Sequence, residues 1–172
     1  MSKELSAVKA QEPEQIHVGI GEYKIAFAPH VLVTLGLGSC VGVTLYDPVM
    51  KCGGLLHVML PDSTAYSRIN KPARYADLGV PMLLDELKKL GARRERLEAK
   101  LAGGAQMFSG ADRQFILNIG QRNVEMVRLM LARLKLRVKG EEVGGNVGRT
   151  MYLDTATGLV TIRSLGQGTR TL

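Results

Sequence analysis

Residues 31–61 read VLVTLGLGSCVGVTLYDPVMKCGGLLHVMLP, a stretch dense in β-branched residues and glycine. The turn segment DPVMKCGG divides two runs whose apolar residues recur with the period of two that a pleated strand imposes. Val41, Val43 and Leu45 share one strand face. Leu56, Val58 and Leu60 share another, which sends His57 to the side opposite those three. The stretch is therefore expected to be a strand followed by a hairpin, with Cys40 where a glycine-rich turn enters the hairpin's first strand.

Upstream, residues 1–15 are polar, contain Pro13, and are expected to be a flexible tail leading into a first strand near 16–20. Downstream the period changes. Val80, Leu83, Leu84, Leu87 and Leu90 fall on one helical stripe that ends at Gly91, and Pro81 puts the start of that helix anywhere from Pro72 to Gly79. LEAKLAGGAQMF follows as a strand running into a glycine turn. Val124, Val127, Leu131 and Leu134 then predict a helix over 121–135. Strands are expected at 136–143, 150–153 and 159–163, the last two joined by the turn residues DTATG. Strands, helix, strand, helix, strands is the order of an α/β (α+β) fold in a single domain, with helices packed on a mixed sheet. That domain is expected to span 16–164, leaving 165–172 as a frayed tail.

A chain of 172 residues with 45% hydrophobic and 23% charged residues has the composition of one domain with one core. The N-terminal stretch has no signal-peptide core and no run reaches the length of a membrane span, so a cytoplasmic protein without membrane insertion is expected. Its two cysteines, Cys40 and Cys52, are then thiols. Lys and Arg outnumber Asp and Glu by 23 to 16, which favours an acidic partner. With three Phe, five Tyr and no Trp there is no aromatic-interleaved basic stripe, and nucleic acid is not expected to be that partner.

Taken alone, a cysteine in an apolar stretch is most simply a core residue. The setting of Cys40 argues otherwise, because Gly36, Leu37, Gly38 and Ser39 precede it. Such a turn brings backbone N–H groups, with Gly38 and Ser39 as candidates, close to a substrate oxygen that becomes negative when a thiolate attacks a carbonyl. A free thiol, with a pKa of about 8.5, needs a base beside it. His57, on the strand that returns alongside Cys40, is the candidate; His17 and His30 lie in segments that do not obviously return there. Thr34, Asp47 and Asp62 are alternative groups to orient the imidazole, and sequence spacing does not choose among them. Cys52, beside Gly53 and Gly54 in the hairpin, reads as incidental.

These residues resemble the CheD family of bacterial chemoreceptor glutamine deamidases. The resemblance rests on TLGLGSCVGVTLYDP (34–48), GGLLHVMLP (53–61), RYADLGVPMLLDEL (74–87), AKLAGGAQMF (99–108), IGQRNV (119–124), VGGNVGR (143–149) and TGLVTIR (157–163). It implies Cys40 as nucleophile, His57 as base and Thr34 as the third catalytic residue. It also implies a fold similar to the catalytic domain of cytotoxic necrotizing factor toxins, and hydrolysis of glutamine carboxamides on methyl-accepting chemotaxis receptors without metal or organic cofactor. A CheC-type phosphatase is implied as a regulatory partner, and Met107 and Phe108 are candidate docking residues at the end of the Gly103–Phe108 segment. A non-catalytic binding module and a thiol protease or methylesterase are the alternatives.

Overall fold

The computed structural model describes residues 11–107 and 118–172. Among the described residues, ten strands and two α-helices run in the order β1 (Gln15–His17), β2 (Tyr23–Phe27), β3 (Val31–Leu37), β4 (Val41–Asp47), β5 (Cys52–Val58), α1 (Ala76–Lys89), β6 (Glu98–Gly103), α2 (Ile119–Arg133), β7 (Arg137–Val143), β8 (Arg149–Asp154), β9 (Val160–Ser164) and β10 (Gly168–Thr171). The expected α+β class holds, but the strands divide into two five-stranded sheets, β1-β3-β8-β9-β10 and β2-β5-β4-β6-β7. Each is mixed, with one parallel pair (β1 with β3, β6 with β7) among antiparallel ones.

Three layers result. Val41, Val43, Leu45, Leu56 and Val58 project from the second sheet onto Val80, Leu83, Leu87, Val124, Val127 and Leu131 of the helices. On the other side of that sheet, Tyr46, Leu55 and Ala102 meet Leu32, Leu37, Met151, Leu153 and Ile162 of the first sheet. Period-two alternation is the same whichever sheet a strand joins, which is why the pattern of 31–61 does not reveal the division. The glycines do record the close approach of the sheets. A Cβ at Gly42 would lie 2.6 Å from Met151 Sδ, and one at Gly53 would lie 2.9 Å from Leu153 Cδ2. No side chain fits at either position without displacing side chains of the facing sheet.

Several boundaries move. Helix α1 begins at Ala76, so Pro81 falls inside it and removes one backbone bond from the second turn. Leu90, expected on the buried stripe, is the C-cap and stands exposed. Residues 168–171, expected to be frayed, pair antiparallel with β9, and Lys100 Nζ ties the carbonyl of Leu172 at 2.7 Å. Polar side chains along this segment hid an edge strand whose stability comes from main-chain bonds. Among the described residues no helix is long and apolar enough to cross a membrane.

Candidate active site

Strand β3 belongs to the first sheet and β4 to the second, so the chain crosses from one layer to the other at Gly38-Ser39-Cys40. Before crossing, β3 carries a bulge. Its register against β8 shifts between Thr34 and Leu37, and Gly36 takes a positive φ of 69° that favours glycine. Thr34, opposite Met151, stays buried while Leu35 and Gly36 are extruded to the surface. Thr34 thereby faces the layer between the sheets.

His57 reaches the same layer from the opposite side. It pairs with Gly42 across the hairpin, and Gly42 shares the parity of Cys40, which packs against the inter-sheet core. Both main-chain groups of His57 are anchored by the turn before β2: its N–H donates to the Glu22 carbonyl (3.0 Å) and its carbonyl accepts from Gly21 N–H (2.9 Å). The imidazole is fully buried, with Nδ1 2.7 Å from Thr34 Oγ1.

The hydroxyl fixes the tautomer. Thr34 Oγ1 also lies 2.7 Å from the Val18 carbonyl oxygen, which can only accept. The single hydroxyl proton goes to Val18, so the contact with His57 is donation from Nδ1–H. Nε2 then carries the lone pair, and it is buried without a hydrogen-bond partner among the described residues. Burial pushes the imidazole pKa down to about 4. Burial also raises the Cys40 thiol, an effect its own backbone N–H opposes. The resting pair is thus a neutral thiol and a neutral imidazole with its basic nitrogen already defined.

The other candidates separate from this cluster. Asp47 accepts from the N–H groups of Val49 (3.0 Å), Met50 (3.2 Å) and Arg93 (3.3 Å) and pairs with Arg96 at 2.6 Å, stabilising the hairpin rather than orienting His57. Asp62 accepts from Thr64 N–H at 2.8 Å in a surface turn. Cys52 is buried on the helix side of β5, at the end away from His57. The Gly38 N–H is turned onto the Gly36 carbonyl at 3.0 Å, so it is not a free oxyanion donor. Among the described residues no hydrogen bond engages Ser39 N–H, which leaves it and the Cys40 N–H as donors for an oxyanion. Met107 packs over the turn, its Cγ 3.0 Å from where a Gly38 Cβ would stand, and is about half exposed. Phe108 lies outside the described residues.

Sequence reasoning missed the supports of the turn. Ala105 N–H donates to the Gly38 carbonyl (2.7 Å) and Gly104 N–H to the Cys40 carbonyl (2.8 Å). Asn123 of α2 donates from Nδ2 to the carbonyls of Ser39 (2.9 Å) and Met59 (3.0 Å). The available signal was a polar residue on an apolar stripe, since Gly120, Asn123, Val124, Val127 and Leu131 are the buried face of α2.

The importance of Thr34 is directly testable. Thr34→Val, which keeps the shape and removes the acceptor for Nδ1–H, is expected to lower kcat of the amide hydrolysis that the resemblance implies by about 10²-fold, with Thr34→Ser restoring most of it. Steady-state kinetics of both variants check this.

Residues 59–164 match the family model described as CheD chemotactic sensory transduction. A Desulforamulus reducens protein named "Probable chemoreceptor glutamine deamidase CheD" is 61% identical over 152 residues, covering 88% of this chain and 92% of its own. Proteins of the same name from Clostridium kluyveri and Clostridium novyi are 49% and 45% identical, covering 91% and 92% of this chain and 97% and 98% of theirs. Among solved structures, the Bacillus licheniformis hypothetical protein YfiH aligns with a TM-score of 0.44 at 15% identity, over 70% of this chain and 49% of that one. On the family match and the near-complete coverage of these relatives, this chain belongs to the CheD family.

Proposed function

We propose that this chain is a cytoplasmic hydrolase that converts glutamine side chains of chemoreceptors to glutamate, with Cys40 as nucleophile, His57 as base and Thr34 as the residue that orients the base. The observation that carries the reading is the Thr34–His57 contact at 2.7 Å, whose hydroxyl proton is committed to Val18, so that Nε2 is left basic in the layer that Cys40 borders. The names of the relatives supply the substrate.

As Cys40 Sγ bonds to the carboxamide carbon, its proton passes to His57 Nε2, and the carbonyl oxygen takes up negative charge against the N–H groups of Ser39 and Cys40. Collapse of the tetrahedral adduct breaks the C–N bond, and the Nε2 proton goes to the departing nitrogen, releasing ammonia. Water then gives one proton to Nε2 and its oxygen to the acyl carbon. The C–S bond breaks, the thiol recovers its proton, and glutamate is left on the receptor. Because both resting groups are neutral, proton transfer accompanies attack rather than preceding it.

A CheC-type phosphatase belongs to the same reading as a regulatory partner. What supports it is the half-exposed Met107 against Gly38, from which a bound protein would cover the nucleophile turn.

The test is mass spectrometry of a receptor cytoplasmic fragment incubated with the protein. Glutamine-to-glutamate conversion at discrete positions is the expected result. No conversion across several receptors, with binding retained, would overturn it in favour of a binding module.

The pH dependence follows from the depressed imidazole. The neutral ring is the active form, and it becomes protonated in the folded protein only near pH 4. The acid limb of kcat/KM is therefore expected near pH 4 rather than at the ordinary histidine value of 6.5. Stability behaves differently, because the unfolded ring binds its proton first. The contribution of His57 is complete above 6.5, declines as pH falls toward 4, and is level below that. A pH–rate profile beside pH-dependent urea unfolding separates the two.

A further inference from the structure

Strands β4 and β5 stop pairing at Val41 and Val58, so the ends bearing Cys40 and the residues after His57 are no longer held to each other by the ladder. Into this fork α2 inserts one side-chain amide. Both N–H groups of Asn123 Nδ2 are used, one on the carbonyl of Ser39, beside Cys40, and one on the carbonyl of Met59, two residues beyond His57. The opposite amide orientation would set Oδ1 against two carbonyl oxygens, so the assignment follows from chemistry.

Asn123 has no exposed surface, and its Oδ1 has no hydrogen-bond partner among the described residues. Leaving a buried acceptor unmatched is destabilising. A residue kept only for packing would carry an apolar side chain here, on a face otherwise made of Gly120, Val124, Val127 and Leu131. Gly120 lets the helix come close enough: a Cβ there would lie 2.7 Å from the carbonyl oxygens of both Gly104 and Ala105. Those residues in turn donate to the Cys40 and Gly38 carbonyls. The turn is thus bonded to α2 directly through Asn123 and to the 104–105 segment, against which α2 packs at Gly120.

We propose that Asn123 is a positioning residue that sets the separation of the nucleophile turn from the base strand, acting on Cys40 and His57 through the carbonyls of Ser39 and Met59. This rests on the reading of Cys40 and His57 as the reacting pair. Without the amide the turn is held on one side only, so Cys40 is more mobile and better solvated, while the exposed surface of the protein keeps the same residues.

The experiment uses Asn123→Leu, which keeps the branching and the number of side-chain heavy atoms, and Asn123→Ala, which avoids any clash should the bulkier first variant fold poorly. Both are measured per folded molecule, with the folded fraction taken from urea unfolding. The expected result is a fall in kcat of at least about tenfold with little change in KM. It is accompanied by faster alkylation of Cys40 by iodoacetamide and a lower midpoint for its pH dependence, as the better-solvated thiol ionises more readily. Wild-type kcat and wild-type alkylation in a folded variant, even with lowered stability, would overturn the proposal and reduce Asn123 to a packing residue. Alkylation reads the turn without any receptor. A wild-type protein that fails to deamidate would therefore count against the functional reading, while the alkylation comparison would still decide the role of Asn123.

Discussion

Cys40→Ser is expected to be as inactive as Cys40→Ala, each losing about 10⁴-fold or more in kcat/KM for glutamine conversion. Serine is a tempting substitute because it keeps the atom count and the hydrogen-bonding pattern. The proposed base decides against it. Burial has lowered the proton affinity of His57 to a pKa of about 4, too weak to draw a proton from an alcohol whose own acidity is far below that of a thiol. Sulfur can be activated by so weak a base because it is intrinsically nucleophilic and its proton is comparatively loose. Ammonia release and peptide mass analysis on a receptor fragment provide the measurement, and Cys52→Ala serves as control. Cys52 is packed on the helix side of the sheet and should leave kcat/KM unchanged. Substantial activity in Cys40→Ser would mean that His57 is a much stronger base than its burial implies.

Gly103→Ala is expected to destabilise the protein by about 2–5 kcal/mol and to remove activity from what still folds. Two effects combine. Gly103 has a φ of 110°, where an L side chain is strained, and a Cβ would stand 2.2 Å from the carbonyl oxygen of Cys40. That oxygen belongs to the main chain of the proposed nucleophile and is fixed by Gly104 N–H, so it cannot yield as a side chain would. Gly144→Ala separates the two effects: its φ of 81° is also positive, but nothing lies within 4 Å of its Cβ position. It should cost about 1 kcal/mol from strain alone. Urea unfolding of both variants, read at constant m-value, makes the comparison. Equal losses would mean that the clash at Cys40 is relieved at no cost.

What the sequence made legible was local. The pairing of β4 with β5 follows from alternation and a turn, and it brings Cys40 and His57 onto one side of one hairpin. Family resemblance named Thr34, but only coordinates explain it: the threonine and the histidine come from different sheets, and no spacing in the chain encodes that meeting. The bulge at Leu35 and Gly36 that turns Thr34 inward depends on register against β8, which lies near the far end of the chain. Asn123 was hidden for a related reason. A polar residue on an apolar stripe signals that something is bonded there, without saying which carbonyls receive it. The C-terminal strand escaped because its side chains are polar and exposed, and its pairing is a property of the backbone.

The bond between Thr34 and His57 also orders events in time. Strand β3 is held on one side by β1, made just before it, and on the other by β8, which is made long after it. Until β8 arrives the first sheet cannot close over the second, and the imidazole has neither its orienting hydroxyl nor a dry environment. A growing chain therefore carries an ordinary cysteine and an ordinary histidine. The proposed pair thus depends on a strand distant in the chain, and a polypeptide lacking β8 is expected to be inactive.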